Sequence, residues 1–169
     1  IQNMKKQSIL KQDFMFPKNI SWLKFWGVLF LALVVLNLVI HIVYEGKDFA
    51  EVLWFCNLAA FFLAYGLYFA KPEPINGVLA VAIPAQFFWI GDFVLQLFGL
   101  GMGRTSWLFE SSNLGLTFLV SVLMHALTIP VALWASWKLG FVKKGYAWTM
   151  PFFLIMLPIT FFFTSPIEN

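Results

Sequence analysis

The hydrophobic residues of this chain are grouped into five long runs in which polar positions do not alternate with apolar ones. A helix needs about 20 apolar residues to cross the ~30 Å hydrocarbon core of a bilayer, and each run is close to or above that length. Strands of a membrane barrel would instead alternate in polarity. The pattern predicts an all-α, polytopic transmembrane helical bundle of about five spans, at residues 22–44, 51–70, 77–98, 113–137 and 146–164.

Prolines and glycines separate or interrupt these runs. The segment Lys71-Pro72-Glu73-Pro74 predicts a break between the second and third spans, because proline cannot continue a helix. A glycine-rich connector at residues 99–104 separates the third span from the fourth. Four further prolines fall inside predicted spans, where each frees a backbone carbonyl and can kink its helix: Pro84, Pro130, Pro151 and Pro158.

The composition excludes an ordinary water-soluble domain. Hydrophobic residues make up 61% of the 169 residues and charged residues only 11%, whereas soluble domains carry roughly 25% charged residues. The mean hydropathy is +0.83. A soluble fold of this size could not remove so much apolar surface from water. The sole cysteine, Cys56, excludes an internal disulfide and a multi-cysteine metal site.

Basic residues indicate how the bundle is oriented. Residues 1–20 form a basic lead-in, suited either to an anionic membrane surface or to a solvated tail. Followed by a full-length apolar run, this segment predicts a retained signal-anchor helix. Residues 21–169 then form one transmembrane domain. Cytoplasmic loops of membrane proteins are enriched in lysine and arginine, so we expect a cytoplasmic N-terminus, an extracytoplasmic C-terminus and a bacterial inner membrane. The predicted cytoplasmic side receives Lys5, Lys6, Lys11, Lys18, Lys24, Lys71, Lys138, Lys143 and Lys144, and the other side Lys47 and Arg104.

Asp92 is the most costly residue within the predicted spans. An ionised carboxylate in mid-bilayer costs on the order of 3 kcal/mol, so such residues usually face a protein interior or mark a functional site. Most other polar side chains also fall in the half of the bundle predicted to be extracytoplasmic. We therefore expect an outward-facing polar pocket around Asp92 and His125, lined by Asn37, His41, Glu51, Asn57, Trp89, Gln96 and Ser121, with Thr160 and Thr164 at the same depth.

Three chemical roles are open for these residues. Asp92 and His125 are candidates for a coupled acid–base pair, since a carboxylate can orient an imidazole and raise its basicity; the alternative is a structural interhelical hydrogen bond. Cys56 is a candidate nucleophile activated by His125, or else a small core residue. No metal site is predicted: His41, Asp92 and His125 offer suitable atoms but lack the spacing of a metal motif. No cofactor is identified.

Four segments resemble a family of small bacterial multi-span membrane proteins. They are WIGDF (Trp89 to Phe93), the connector GLGMGRTSWLFE, the segment MHALTIP and the closing SPIEN. The family carries a W-x-x-D-F element, a mid-membrane histidine and a terminal P-x-x-N stretch, and the resemblance implies no particular activity. WFCNLAA (Trp54 to Ala60) together with His125 is also similar to YwaF-like proteins and to intramembrane lipid hydrolases and acyltransferases. This second likeness implies a cysteine and a histidine working together.

Two functions follow as hypotheses. The first is an integral membrane protein whose polar pocket binds or processes a lipid-like or amphiphilic molecule. If it is an enzyme, we expect a lipid-directed hydrolase or acyltransferase that uses His125, Asp92 and Cys56. The alternative is a non-catalytic accessory subunit of a larger membrane complex. Expected partners are membrane lipids and other membrane subunits, and no nucleic acid.

Overall fold

Every regular element in the described part of the chain is helical. The structure, a computed structural model, describes residues 20–44, 54–103, 105–109 and 115–163. A π-helical turn, Ile40–Tyr44, continues the first helix, and a 3₁₀ turn, Ser106–Phe109, precedes the fourth. The predicted all-α helical bundle is confirmed, with helices α1 (Ile20–Val39), α2 (Phe55–Tyr68), α3 (Pro72–Leu97), α4 (Leu116–Leu139) and α5 (Lys144–Phe163).

Consecutive helices run antiparallel from α1 to α4. The beginning of α1 contacts the end of α2, where Gly27 lies against Tyr68, and the end of α1 contacts the beginning of α2, where Asn37 bonds to Asn57. All described lysines consequently lie at one end of the bundle, which we call the lysine end. It is formed by the start of α1, the end of α2, the start of α3, the end of α4 and the start of α5, and it carries Lys24, Lys71, Lys138, Lys143 and Lys144.

The helices are apolar on their outer faces as well as in the core. Phe87 and Phe88 on α3 are 72% and 65% exposed, and Trp137 on α4 is 76% exposed. A helix that is hydrophobic all round belongs in a core or a membrane. Three helical stretches are long and apolar enough to cross a bilayer: Ile20–Val43, Pro72–Leu97 and Leu116–Leu139. The chain is therefore a membrane protein, while the five-span topology and its orientation stay predictions.

The third helix begins earlier than predicted. Its expected start was residue 77, but α3 begins at Pro72 and includes Pro74 in its first turn. The first backbone N–H groups of a helix have no intrahelical partner, so a proline there loses no hydrogen bond. The segment Lys71–Pro74 thus ends one element and opens the next. At the start of the second predicted span, α2 begins at Phe55, and residues 51–53 lie outside the described residues.

Two left-handed residues end α2 and α3 in the same way. After α3, Leu100 N donates to Leu95 O and Gly99 N donates to Gln96 O, with Gly99 at φ 71°. This is the Schellman arrangement, which glycine favours because it has no Cβ. After α2 the equivalent position is Ala70, at φ 51°. An L-residue pays a steric cost in that conformation.

Replacing Ala70 with glycine is expected to stabilise the protein. The left-handed conformation costs an L-residue roughly 1–2 kcal/mol, and part of that gain is offset by the greater freedom of glycine in the unfolded chain. We expect a net gain of about 0.5–1 kcal/mol in the free energy of unfolding, measured by denaturant titration in detergent micelles. Gly99→Ala is the reciprocal variant and should destabilise by a similar amount. A loss of stability in Ala70→Gly would contradict this interpretation.

Close contact between α3 and α5 depends on glycine. These two helices run parallel, with Gly145 lying beside Glu73 and Gly77 beside Thr149. A Cβ added at Gly145 would lie 2.5 Å from the backbone oxygen of Glu73, and one added at Gly77 would overlap the Thr149 side chain. Small residues of this kind allow membrane helices to approach closely.

Candidate functional site

A cavity of about 170 Å³ lies in the half of the bundle away from the lysine end. Its wall is built from the end of α1, the beginning of α2, the second half of α3, the first half of α4 and the 3₁₀ turn. Aromatic side chains and uncharged polar groups make up most of its lining. The lining consists of Asn37, His41, Trp54, Phe55, Cys56, Asn57, Ala85, Gln86, Trp89, Trp107, Ser121 and His125.

A chain of buried hydrogen bonds joins three helices on one side of the cavity. Ser121 Oγ donates to Asn37 Oδ1 at 3.2 Å, and Asn37 Nδ2 donates to Asn57 Oδ1 at 3.3 Å. All three side chains are buried. Polar groups in an apolar interior are costly unless paired, so this network fixes α1, α2 and α4 relative to one another. It also gives the cavity a polar wall of defined geometry.

His125 is held in one tautomer by its own helix. Its Nδ1 lies 2.7 Å from the carbonyl oxygen of Ser121, one turn earlier on α4. A carbonyl oxygen only accepts hydrogen bonds, so Nδ1 carries the proton and Nε2 of the neutral ring is an acceptor. The ring stacks on Trp89 with a centroid separation of 3.9 Å and an interplanar angle of 9°. His125 is thus positioned as an oriented hydrogen-bond acceptor.

His41 lies in the π-helical turn that ends the first helix. It is buried and lines the cavity, and its ring centroid is 5.9 Å from that of Trp107 in the 3₁₀ turn. Single π-helical turns often occur at functional sites because they shift the direction of one side chain. This contact brings the connection between α3 and α4 against the end of α1.

Gln86 contributes a buried side-chain amide to the wall of the cavity. The side chain is 4% exposed and lines the cavity. Its Oε1 is buried without a hydrogen-bond partner in the described part of the chain. An amide oxygen buried without a partner costs about 1–3 kcal/mol, and such an atom in a native structure calls for an explanation. Because the Gln86 side chain lines the cavity, a shift of that side chain would let this oxygen accept a hydrogen bond from a ligand.

Asp92 is not part of the cavity lining. Its carboxylate, 1% exposed, accepts hydrogen bonds from the backbone N–H of Met102 and from both the N–H and the hydroxyl of Thr105, the latter two at 2.8 Å. These donors belong to the connection that follows α3. The expected pairing of Asp92 with His125 is therefore absent from the described hydrogen bonds. The carboxylate instead anchors the connection, in which Thr105 is itself fully buried.

The remaining predicted site residues fall into three groups. The first group lines the cavity and consists of Asn37, His41, Cys56, Asn57, Trp89, Ser121 and His125. Gln96 lies outside its lining and packs against Gly101 in the connection. Glu51, Thr164 and the Thr160 side chain lie outside what the structure describes.

A metal centre does not form from the described residues. No group of three histidine, cysteine, aspartate or glutamate side chains among them is placed to hold an ion. Of the set His41, Asp92 and His125, the two histidines line the cavity while Asp92 binds the connection. Cys56 is partly buried in the same wall as His125. The arrangement is therefore one of uncharged polar and aromatic groups around a small space.

Several lining residues were not predicted. Gln86 is three residues before Trp89 on α3, so the helical period alone places both on one face. Trp54 and Trp107 stand near the ends of the predicted spans, where indole rings favour the membrane interface. Their sequence positions therefore suggest an interfacial location and not a place in the cavity wall. Phe55 and Ala85 carry no sequence feature that separates them from other apolar residues.

Comparison of the chain with protein-family models, with curated proteins and with solved structures found no match. The function must therefore be inferred from the cavity itself. Its two most specific features are the Gln86 oxygen, which has no hydrogen-bond partner among the described residues, and the oriented His125 ring. Both are acceptors of hydrogen bonds when the histidine is neutral.

Proposed function

We propose that this membrane protein binds the hydrogen-bond-donating headgroup of an amphiphilic molecule in the cavity. The observation that carries the proposal is the buried Oε1 of Gln86, which has no partner among the described residues. A ligand hydroxyl or amine that donates to this atom removes its desolvation cost. His125, whose neutral ring keeps Nε2 as an acceptor, lines the same cavity. The ligand class is thus a donor-bearing headgroup, not an anion.

The size and lining of the cavity support a headgroup as the buried part. Ligand pockets for drug-sized molecules usually measure roughly 300–1,000 Å³, and this cavity measures about 170 Å³. Three tryptophans, Trp54, Trp89 and Trp107, contribute to the wall. Indole rings offer apolar faces together with one polar N–H, and they suit the boundary between headgroup and acyl chain. The tail of the ligand would remain among the membrane lipids.

We favour ligand binding over hydrolysis or acyl transfer as the function of the cavity. In acid–base catalysis by a histidine, a neighbouring carboxylate stabilises the imidazolium that forms. Here Nδ1 of His125 is bonded to a backbone carbonyl, and the described hydrogen bonds of Asp92 go to the connection after α3. We place the protein in a bacterial inner membrane with its lysine end in the cytoplasm, as the positive-inside rule favours. The cavity would then open toward the extracytoplasmic leaflet.

The proposal predicts that an amphiphile with donors protects Cys56 from chemical labelling. Cys56 is the sole cysteine and lines the cavity, so its reaction rate with a methanethiosulfonate reagent reports occupancy. Monoolein carries two hydroxyl donors, whereas methyl oleate has the same chain and ester but none. We expect monoolein to slow labelling and methyl oleate to act about 10-fold more weakly, because it leaves the Gln86 oxygen unpaired.

Gln86→Leu should remove the difference between the two amphiphiles. Gln96→Leu is the matched control, since it makes the same change on the same helix outside the cavity lining. We expect the control to discriminate as the unmodified protein does. Equal protection by monoolein and methyl oleate in the unmodified protein, measured at equal membrane concentration, would refute the proposal. Circular dichroism of both variants checks that the helices are intact.

A further inference from the structure

An apolar groove of about 370 Å³ lies between α1 and α2 at the lysine end of the bundle. Gly27 and Ala64 form its floor, and Leu31, Phe61, Tyr65 and Tyr68 contribute to its sides. A Cβ added at Gly27 would lie 2.7 Å from the Tyr68 nitrogen, so the two backbones are in close contact there. Small residues at this crossing leave a depression on the surface that faces lipid.

Two lysines stand at the rim of the groove. Lys71 Nζ donates a hydrogen bond of 2.8 Å to the hydroxyl of Tyr65, and Lys24 Nζ lies 5.9 Å from the centre of the Tyr68 ring. Both tyrosines line the groove. The hydrogen bond with Tyr65 raises the pKa of Lys71, so its ammonium remains charged at neutral pH. The rim therefore carries two cations, with the Glu73 carboxylate near enough to Lys71 to raise its pKa further, and the interior is apolar.

We propose that this groove binds an anionic phospholipid, with one acyl chain along Leu31 and Phe61 and the phosphate between Lys24 and Lys71. Charge complementarity selects this occupant: the two ammonium groups and the Tyr65 hydroxyl suit a phosphodiester, and the apolar interior suits a chain. Anionic lipids attract basic residues at the cytoplasmic leaflet. The proposal is independent of the cavity, which lies in the other half of the bundle and holds no described lysine.

Lipid retention measured by native mass spectrometry tests the headgroup contact. The full chain is placed in phosphatidylcholine nanodiscs containing phosphatidylglycerol as the probe, and the bound lipid is counted after release. Lys24→Gln with Lys71→Gln is expected to lower retained phosphatidylglycerol about 30-fold, because each of the two lysines contributes roughly 1 kcal/mol near an anionic surface and tenfold corresponds to about 1.4 kcal/mol. The matched control, Lys138→Gln with Lys143→Gln, removes the same charge at the same end. Equal losses in both double variants would overturn the proposal.

A groove-filling variant tests the acyl chain. Leu31→Trp should lower phosphatidylglycerol retention, while Leu133→Trp, at an equally lipid-exposed position on α4, should not. Displacement of the lipid by soluble glycerophosphoglycerol or by inorganic phosphate at equal concentration would show that the lysines bind phosphate without the groove, and it would overturn the lipid assignment. Each variant is checked by size-exclusion chromatography, and unchanged Cys56 labelling shows that the cavity in the other half is intact.

Discussion

Asp92→Ala is expected to lower the free energy of unfolding by about 3–5 kcal/mol. The substitution removes the acceptor for two backbone N–H groups and one hydroxyl in the connection after α3. Hydrogen bonds to a charged group contribute roughly 1.5–3 kcal/mol each, and buried donors left without a partner retain their full desolvation cost. Unfolding followed by tryptophan fluorescence during denaturant titration in micelles measures the loss.

Two other carboxylate variants sharpen this prediction. Glu73→Ala removes an exposed acid from the first turn of the same helix, and we expect a change within about 0.5 kcal/mol. Asp92→Asn keeps the shape of the side chain but replaces one acceptor oxygen with a donor. Its loss in the free energy of unfolding should therefore lie between those of Glu73→Ala and Asp92→Ala. A fully stable Asp92→Ala that no longer binds monoolein would instead assign the carboxylate to ligand binding.

Gly77→Ala is expected to destabilise the contact between α3 and α5 by about 3 kcal/mol. The new methyl group would overlap the Thr149 side chain, which is fully buried and bonded to the Gly145 carbonyl at 2.7 Å. Helices that are packed this closely must separate or shift to admit it, and overpacking of a well-packed interior is costly. The measurement is the same denaturant titration.

Gly91→Ala provides a control on the same helix. Apart from the backbone of its own helix, no atom of the described residues lies within 4 Å of a Cβ added at Gly91, so only helix propensity changes, and we expect a gain of about 0.5–1 kcal/mol. Thr149→Gly combined with Gly77→Ala should recover part of the loss, because it removes the atoms that clash. Similar stability for Gly77→Ala and Gly91→Ala would show that α3 and α5 are not packed as described.

The apolar runs predict the helices well. In lipid, the backbone N–H and C=O groups must find hydrogen-bond partners within the protein, and a long uninterrupted helix is one of the few structures that provides them. Helical spacing also explains why Asn37 with His41, and Ser121 with His125, share faces that meet in the bundle. Each of these pairs lies on one continuous helical segment. They can therefore be read from residue order without knowledge of the tertiary path.

The partner of Asp92 could not be predicted in this way. Its described bonds are to residues 10 and 13 positions later, in a connection whose path depends on the glycines at 99 and 103 adopting positive φ. The expectation that Asp92 takes part in function rests on the high cost of an acid in a membrane, and it stays a prediction beside these bonds. Trp107 lies in that same connection, and its contact with His41 depends on the same path.

The length of α2 has a consequence for the surrounding bilayer. Its 14 residues extend about 21 Å at 1.5 Å per residue, which is less than the ~30 Å hydrocarbon thickness. If α2 crosses the bilayer as predicted, a mismatch of this kind is relieved by local thinning of the bilayer. Since Trp54, Phe55 and Cys56 stand at that end and also border the cavity, headgroups from the thinned leaflet would reach the cavity sideways. A molecule could then enter by lateral diffusion, without leaving the membrane.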